Sequence, residues 1–246
     1  MDANNKLEFD NTRRYHYVLL GFAEFKDIIK KFVSILKFYR FENQGRVNSK
    51  EIIYDVPDDL LSDSGIVISK LFENGKVFLQ VNKLSFLKGA LKRPSKKYNL
   101  GTIGKDEEPK DYSLQITQAI ESSFTTQFTV DIDAFVQKII PKIEIDIEAT
   151  KYKIICGSGY RATMFFEEVE YKDIKTKKKV SRPGVTLQLP ADNSPENDEI
   201  LKVIDRHISE LALYNLSRFE IAKQLLYPKP IEESEERVLT DDEDEE

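Results

Sequence analysis

The chain has 246 residues, 40% of them hydrophobic, with 37 lysines and arginines against 43 aspartates and glutamates. Its one cysteine, Cys156, excludes an intrachain disulfide and a cysteine-rich zinc site, and its two histidines, His16 and His207, argue against a histidine-ligated transition metal. The net charge of −6 is lopsided, because residues 231–246, IEESEERVLTDDEDEE, hold ten acids and one arginine, which leaves residues 1–230 at +3.

No apolar run reaches the roughly eighteen residues of a membrane span, and the opening MDANNKLEFDNTRR lacks the apolar core of a secretory signal. A soluble, cytoplasmic protein is expected, with an N-terminal segment 1–12, one domain over 13–230 and an acidic, disordered tail over 231–246. The tail is a solubilising end or, alternatively, an electrostatic lid over a basic site on the same chain.

RRYHYVLL (13–20) alternates as a strand, and the helix after it sets Phe25, Ile28, Ile29, Phe32 and Leu36 on one face. KEIIYDV, GIVISKLF, KVFLQVNKL and SFLKGALKR follow as strands of an antiparallel meander, with ENG as a hairpin turn. Residues 94–112 are polar, contain Pro and Gly, and read as a loop. SLQITQAIESSF and DIDAFVQKII read as helical or mixed segments, the second ended by Pro141.

KIEIDIE (142–148) alternates strictly, with isoleucine at 143, 145 and 147 and acids at 144, 146 and 148. It is a strand with one apolar face and one face of carboxylates about 7 Å apart. It continues through TKYKII to the turn CGSGY and returns as YRATMFFEEVEYKD, a hairpin. A basic connection, TKKKVSRPG, leads to the short strand VTLQLP, then to a helix presenting Ile200, Ile204, Ile208 and Leu211, and to a last helix with Ser217 at its N-cap. Some eight strands with few helices make an antiparallel α+β fold or a helix-plugged barrel.

The chain has no phosphate-binding Gly-rich loop followed by Lys, no nucleophile elbow and no Cys–His pair. Triad hydrolysis is therefore excluded, and His207, on a helix of Ile and Leu, reads as a boundary residue. The lysine runs LKRPSKK and KTKKK lack interleaved aromatics, so nucleic-acid binding is disfavoured.

The succession GKVFLQVNK, GALKRPSKKYNL, IIPKIEIDIEATKYKI, GYRATMFFEEVEY, PGVTLQLP and LSRFEIA resembles, over residues 13–226, the polyphosphate-polymerase domain of vacuolar transporter chaperones and its bacterial relatives. That domain belongs to the triphosphate tunnel superfamily, with the CYTH phosphatases and adenylate cyclases. The resemblance implies an eight-stranded antiparallel tunnel-like barrel, lined by Lys and Arg for phosphates and by Glu for Mg²⁺ or Mn²⁺. By match to its blocks, Lys70, Lys92, Arg93, Arg161 and Arg218 are the implied anion-binding residues.

Three charged tunnel sites of that family are neutral or aromatic here. Tyr or His stands for Glu and Lys on the first strand, Gln80 and Asn82 for Glu and Lys on the hairpin, and Thr186 and Gln188 for a metal-binding Glu on the late strand. Metal-assisted phosphoryl transfer would lose electrostatic stabilisation. Glu144, Asp146 and Glu148 are either a relocated Mg²⁺ or Mn²⁺ site or a solvated sheet face, the second being favoured. The expected function is a degenerate triphosphate-tunnel domain that binds a polyphosphate or other phosphorylated anion, with catalysis weak or lost. The alternative is a non-catalytic interaction or scaffold protein of a larger assembly, with a protein as partner.

Overall fold

The computed structural model describes residues 8–9, 12–21, 24–83, 96–123, 132–192, 194–214 and 216–228. In chain order its elements are β1 (Glu8–Phe9), β2 (Thr12–Leu19), α1 (Phe25–Ile35), β3 (Tyr39–Asp55), α2 (Leu60–Asp63), β4 (Ile66–Glu73), β5 (Lys76–Lys83) and β6 (Lys96–Ile103). A 3-10 turn (Pro109–Tyr112) then leads to α3 (Ser113–Ser123), α4 (Ile132–Val136), β7 (Ile140–Cys156), β8 (Arg161–Asp173), β9 (Lys179–Pro190), α5 (Pro195–His207), β10 (Leu211–Tyr214) and α6 (Arg218–Leu226).

The strands form one ten-stranded sheet in the order β1-β6-β5-β4-β3-β7-β8-β9-β2-β10, with every pairing antiparallel. The α+β class expected from the alternating segments is therefore present. The eight-strand count is not: among the described residues there are ten strands, and backbone pairing does not close them into a ring, since β1 meets only β6 and β10 only β2.

Hydrophobic period fixes which side of each strand is covered. On one side, Tyr17, Ile154, Met164, Phe166, Val185, Leu187 and Leu189 pack under α1 and α5, which contribute Ile28, Phe32, Ile200 and Ile204. On the same side of the other half of the sheet, Tyr54, Ile68, Leu79 and Val81 pack under α3 and α4 through Ile116, Ile120 and Val136. The opposite side holds α6, whose Phe219, Ile221, Ala222 and Leu226 cluster with Ile53, Val67, Ile143, Ile145, Ile147, Val169 and Tyr171 from β3, β4, β7 and β8. We call this the inner face.

α6 is fastened at both ends. Ser217 caps its start by accepting from Glu220 N while the Glu220 carboxylate accepts from Ser217 N, a reciprocal capping box. At its far end Lys178 Nζ donates to Leu226 O at 2.6 Å and the Tyr227 hydroxyl donates to Asp173. Lys223 adds contacts at 3.3 Å to Ser62 and Asp63 of α2.

Several local expectations are revised. β6 and the 3-10 turn occupy much of the segment read as a loop, because Gly101, at φ +112°, and a register shift opposite Leu79 and Gln80 interrupt a strand whose alternation is otherwise polar. Pro141 does not end a helix: α4 stops at Val136, and Pro141 lies in the first turn of strand pairing, at a register shift against β3. The strand expected in SFLKGALKR lies outside the described residues, as does the acidic tail. The ENG hairpin is present, Asn74 and Gly75 both having positive φ, as a two-residue connection between twisted antiparallel strands requires. Gly184 is needed for a different reason: a Cβ there would stand 2.8 Å from the Tyr17 carbonyl oxygen, so β9 can approach β2 only without a side chain.

Candidate anion-binding face

The register places functional side chains in rows across the inner face. His16 of β2 lies opposite Thr186 of β9, Thr186 opposite Phe165 of β8, and Phe165 opposite Lys151 of β7. The next row, two residues along each strand, is Arg14, Gln188, Thr163, Lys153 and Glu42. One more step brings Arg161, Ile155 and Arg40 together. Since every second residue shares a face, Arg40 of β3, Lys151 and Lys153 of β7, Arg161 of β8 and, beyond β9, Arg14 of β2 lie on the inner face. Adjacent strands are about 4.8 Å apart and successive same-face residues about 7 Å.

These cations are partly committed. Arg40 pairs with Glu42 at 2.8 Å, and the Lys151 ammonium lies 5.8 Å from the centroid of the Phe165 ring. Lys151 and Lys153 are half-buried, Arg14 and Arg161 exposed. Their aliphatic stems rest on the sheet while their charges reach water.

Where the cationic rows meet α6 there is a buried polar network. Arg218, at the first turn of α6, donates to Glu167 Oε1 at 2.5 Å and to Thr186 Oγ1 at 3.3 Å. Thr186 donates to Glu167 Oε2 at 2.8 Å, and His16 Nδ1 lies 2.9 Å from Thr186 Oγ1. Glu167 and Thr186 are 4% and 3% exposed. Burial, then the charges of Arg218 and Arg14, hold the His16 pKa well below the usual 6.5. Burial works against the Arg218 charge, but the Glu167 carboxylate, with Tyr171 and Glu51, raises its pKa above the usual value. Beside this network is a cavity of about 30 Å³ whose lining includes His16, Glu167, Arg182, Thr186, Tyr214 and Arg218, room for a single water.

The residues implied by sequence do not all converge here. Arg161 and Arg218 are both on the inner face, Arg161 in a cationic row and Arg218 tied to Glu167. Lys70 is on the other side of β4, 3% exposed, and donates to the carbonyls of Lys105 and Glu107 at 3.2 and 2.7 Å. Its charge fastens the segment after β6 instead of facing Arg161. Lys92 and Arg93 lie outside the described residues.

The acidic row of β7 points away from α6. Glu144 is bound by Lys50 at 2.8 Å and Lys172 at 3.0 Å, which hold its pKa down although burial acts the other way. Burial, with Glu144 and Glu170 nearby, raises the Asp146 pKa against the pull of Lys50, and Glu148 is exposed. Among the described residues no group of three or more His, Cys, Asp or Glu side chains is placed to hold a metal ion. With Glu144 already neutralised by two ammonium groups, this donor set does not fit Mg²⁺ or Mn²⁺, which need several free anionic oxygens.

The sequence does not single out Arg14, and there Lys151 and Lys153 read as alternating residues able to pair with the acids across a strand, not as anion ligands. Their signal was present: in TKYKII the lysines continue the odd-numbered phase of Ile143, Ile145 and Ile147, and so had to share that face.

No family model and no curated protein matches the chain. Solved structures do. A Hippeastrum protein, assigned as an adenylyl cyclase and found to have a dominant triphosphatase activity, superposes with a TM-score of 0.53 at 10% identity, covering 86% of this chain and 94% of that one. A Pyrococcus horikoshii protein gives 0.48 at 14% identity, over 87% and 99% of the two chains. A Bacillus halodurans protein assigned as an adenylate cyclase gives 0.42 at 12% identity, over 80% and 90%. The first likeness, at 10% identity, is one of fold.

Proposed function

We propose that the inner face binds a phosphorylated anion, a polyphosphate or the polyphosphate arm of a nucleotide, the sheet acting as a tunnel-like cradle of the kind found in polyphosphate-polymerase domains. The observation that carries this reading is the convergence of Arg14, Lys151, Lys153 and Arg161 from β2, β7 and β8 on one face. Several fixed cations on one face can each reach an oxygen of a phosphate chain, each contact being a charge-assisted hydrogen bond. A triphosphatase activity in the Hippeastrum protein of like fold supports the same ligand class. Lys92 and Arg93 extend the proposed anion set.

Charged tunnel positions of that family are taken here by Tyr or His on the first strand, by Gln80 and Asn82 on the hairpin and, at the metal-binding Glu, by Thr186 and Gln188. The reading is accordingly of a ligand-binding domain whose metal-assisted turnover is weakened or lost, in a cytoplasmic setting. Thermal-shift measurements with tripolyphosphate, ATP and long-chain polyphosphate, each with and without Mn²⁺, test it through mass-action stabilisation. Stabilisation by tripolyphosphate that persists in EDTA is expected. No stabilisation by any of the three would remove the reading.

A further inference from the structure

We propose that residues 241–246, DDEDEE, dock on the cationic rows of the inner face of the same chain and screen them from other anions. The docking stands on charge and placement alone, and only its effect on a bound phosphate chain rests on the anion-binding reading above.

The two sides of the sheet offer an acidic segment opposite receptions. On the inner face, Arg14, Lys151, Lys153, Arg161 and Arg40 come from four strands, and the three rows that hold them contain one carboxylate, Glu42, already paired with Arg40. On the opposite side the register sets Asp146 against Glu170 and Glu148 against Glu168. Acid facing acid across a ladder repels a further anion. The six consecutive acids of residues 241–246 therefore have one favourable side of the sheet.

The chain leaves α6 on that side. Lys178 Nζ donates to Leu226 O, and the Tyr227 hydroxyl donates to Asp173, which follows Val169 and Tyr171 along the inner side of β8. Counted back along β8 from Asp173, the cationic rows begin at Phe165 and end at Arg161, a distance of about 27 to 40 Å at the usual strand rise. The chain from Tyr227 to Asp241 spans up to about 48 Å when extended. Residues 241–246 can thus reach every row, whereas the earlier acids of residues 232–236, at most about 31 Å from Tyr227, reach only the nearest.

Tethering supplies the affinity that single exposed ion pairs lack. Each such pair is worth about 1 kcal/mol or less, but a segment joined to its own site acts at an effective concentration on the order of mM. The contact is electrostatic throughout, so salt dissolves it: the screening length falls from about 10 Å at 0.1 M to about 3 Å at 1 M.

The test is carbodiimide coupling of the full-length protein, which joins a carboxylate to an ammonium group in contact with it, followed by trypsin, which releases a peptide beginning at Val238. At low salt that peptide is expected joined to Lys151 or Lys153, in the same yield after tenfold dilution of the protein, and the product is expected to vanish near about 1 M salt. Absence of coupling at both lysines overturns the proposal. So does coupling confined to covalent dimers, which would seat the segment on a second copy, and so does coupling mainly to Lys175 and Lys177, the exposed turn beside the end of α6. A second measurement uses the full-length protein carrying Asp241→Asn, Asp242→Asn, Glu243→Gln, Asp244→Asn, Glu245→Gln and Glu246→Gln together. Its tripolyphosphate Kd is expected about tenfold lower than that of wild type at low salt, as when docking leaves the face open about a tenth of the time, with the gap closing as salt rises. Equal Kd in two proteins that both bind tripolyphosphate overturns the screening. If neither binds it, the anion-binding reading falls, and the coupling result alone decides the docking.

Discussion

β7 presents two contrasting stretches on a single face. From Ile143 to Ala149 its inner side chains are apolar and sealed under α6, whereas from Lys151 to Lys153 they are cationic and half-buried. Strand, face and period are shared, and the helix marks the difference: where α6 covers the sheet the residues are core, and where it stops they are a cationic surface reaching water. Arg218 stands at the boundary, with its backbone in α6 and its guanidinium against β8 and β9.

The largest expected effect breaks that boundary. Glu167→Ala leaves the Arg218 guanidinium without its partner in a buried setting, and should destabilise the protein by about 3–5 kcal/mol in urea unfolding. A loss below about 1 kcal/mol would mean that the pair behaves as an exposed one.

Within the cationic stretch, Arg161→Ala and Lys153→Ala should each weaken tripolyphosphate binding by about 1–3 kcal/mol, measured calorimetrically, with little change in melting temperature. The matching change on the apolar side, Ile145→Ala, should do the reverse. It should cost about 2–5 kcal/mol of stability and, in protein still folded, leave affinity intact. Equal effects of both kinds of substitution on affinity would erase the distinction between the two stretches.

The boundary network should also show in the pH dependence of stability. Because the His16 pKa is lowered in the folded state, the unfolded chain takes up the proton first as pH falls. The stabilisation is thus fully present above about pH 6.5, declines below it, and levels off once the folded-state pKa is passed. Urea unfolding of His16→Gln across the same range should show a flatter acid limb.

The smallest effects belong to the acidic row on the far side of β7. Glu148→Gln should change stability by no more than about 0.5 kcal/mol, and Glu144→Gln, which leaves Lys50 and Lys172 unpartnered, by about 1 kcal/mol. Neither should alter tripolyphosphate binding. Loss of an Mn²⁺-dependent shift in Glu144→Gln would return that row to the metal reading.

Period-two patterning made most of the sheet legible before any coordinates. β2, β4, β5, β8 and the apolar run of β9 were readable because one side of each is buried and alternation records it. β6 was hidden because Gly101 and a register shift break its phase, and β10 because four residues are too few to show any period. Of the implied anion-binding residues, Lys70 shows the limit of matching blocks. A lysine on a strand can face either side, and neighbouring Ile66 and Ile68 already placed it in the covered core. The link from His16 to Thr186 spans 170 positions, and no local pattern reports a contact at that separation.

The placement of α6 also bears on how the protein is made. A chain leaving the ribosome presents β3, β4, β7 and β8 well before residues 218–226, so Ile143, Ile145 and Ile147 have no cover until α6 has been made. β2, made before all of these, waits through a longer stretch of chain for its neighbours β9 and β10. Nascent chains halted before Leu226 should therefore carry an open apolar trough, a surface that chaperones recognise and that drives aggregation.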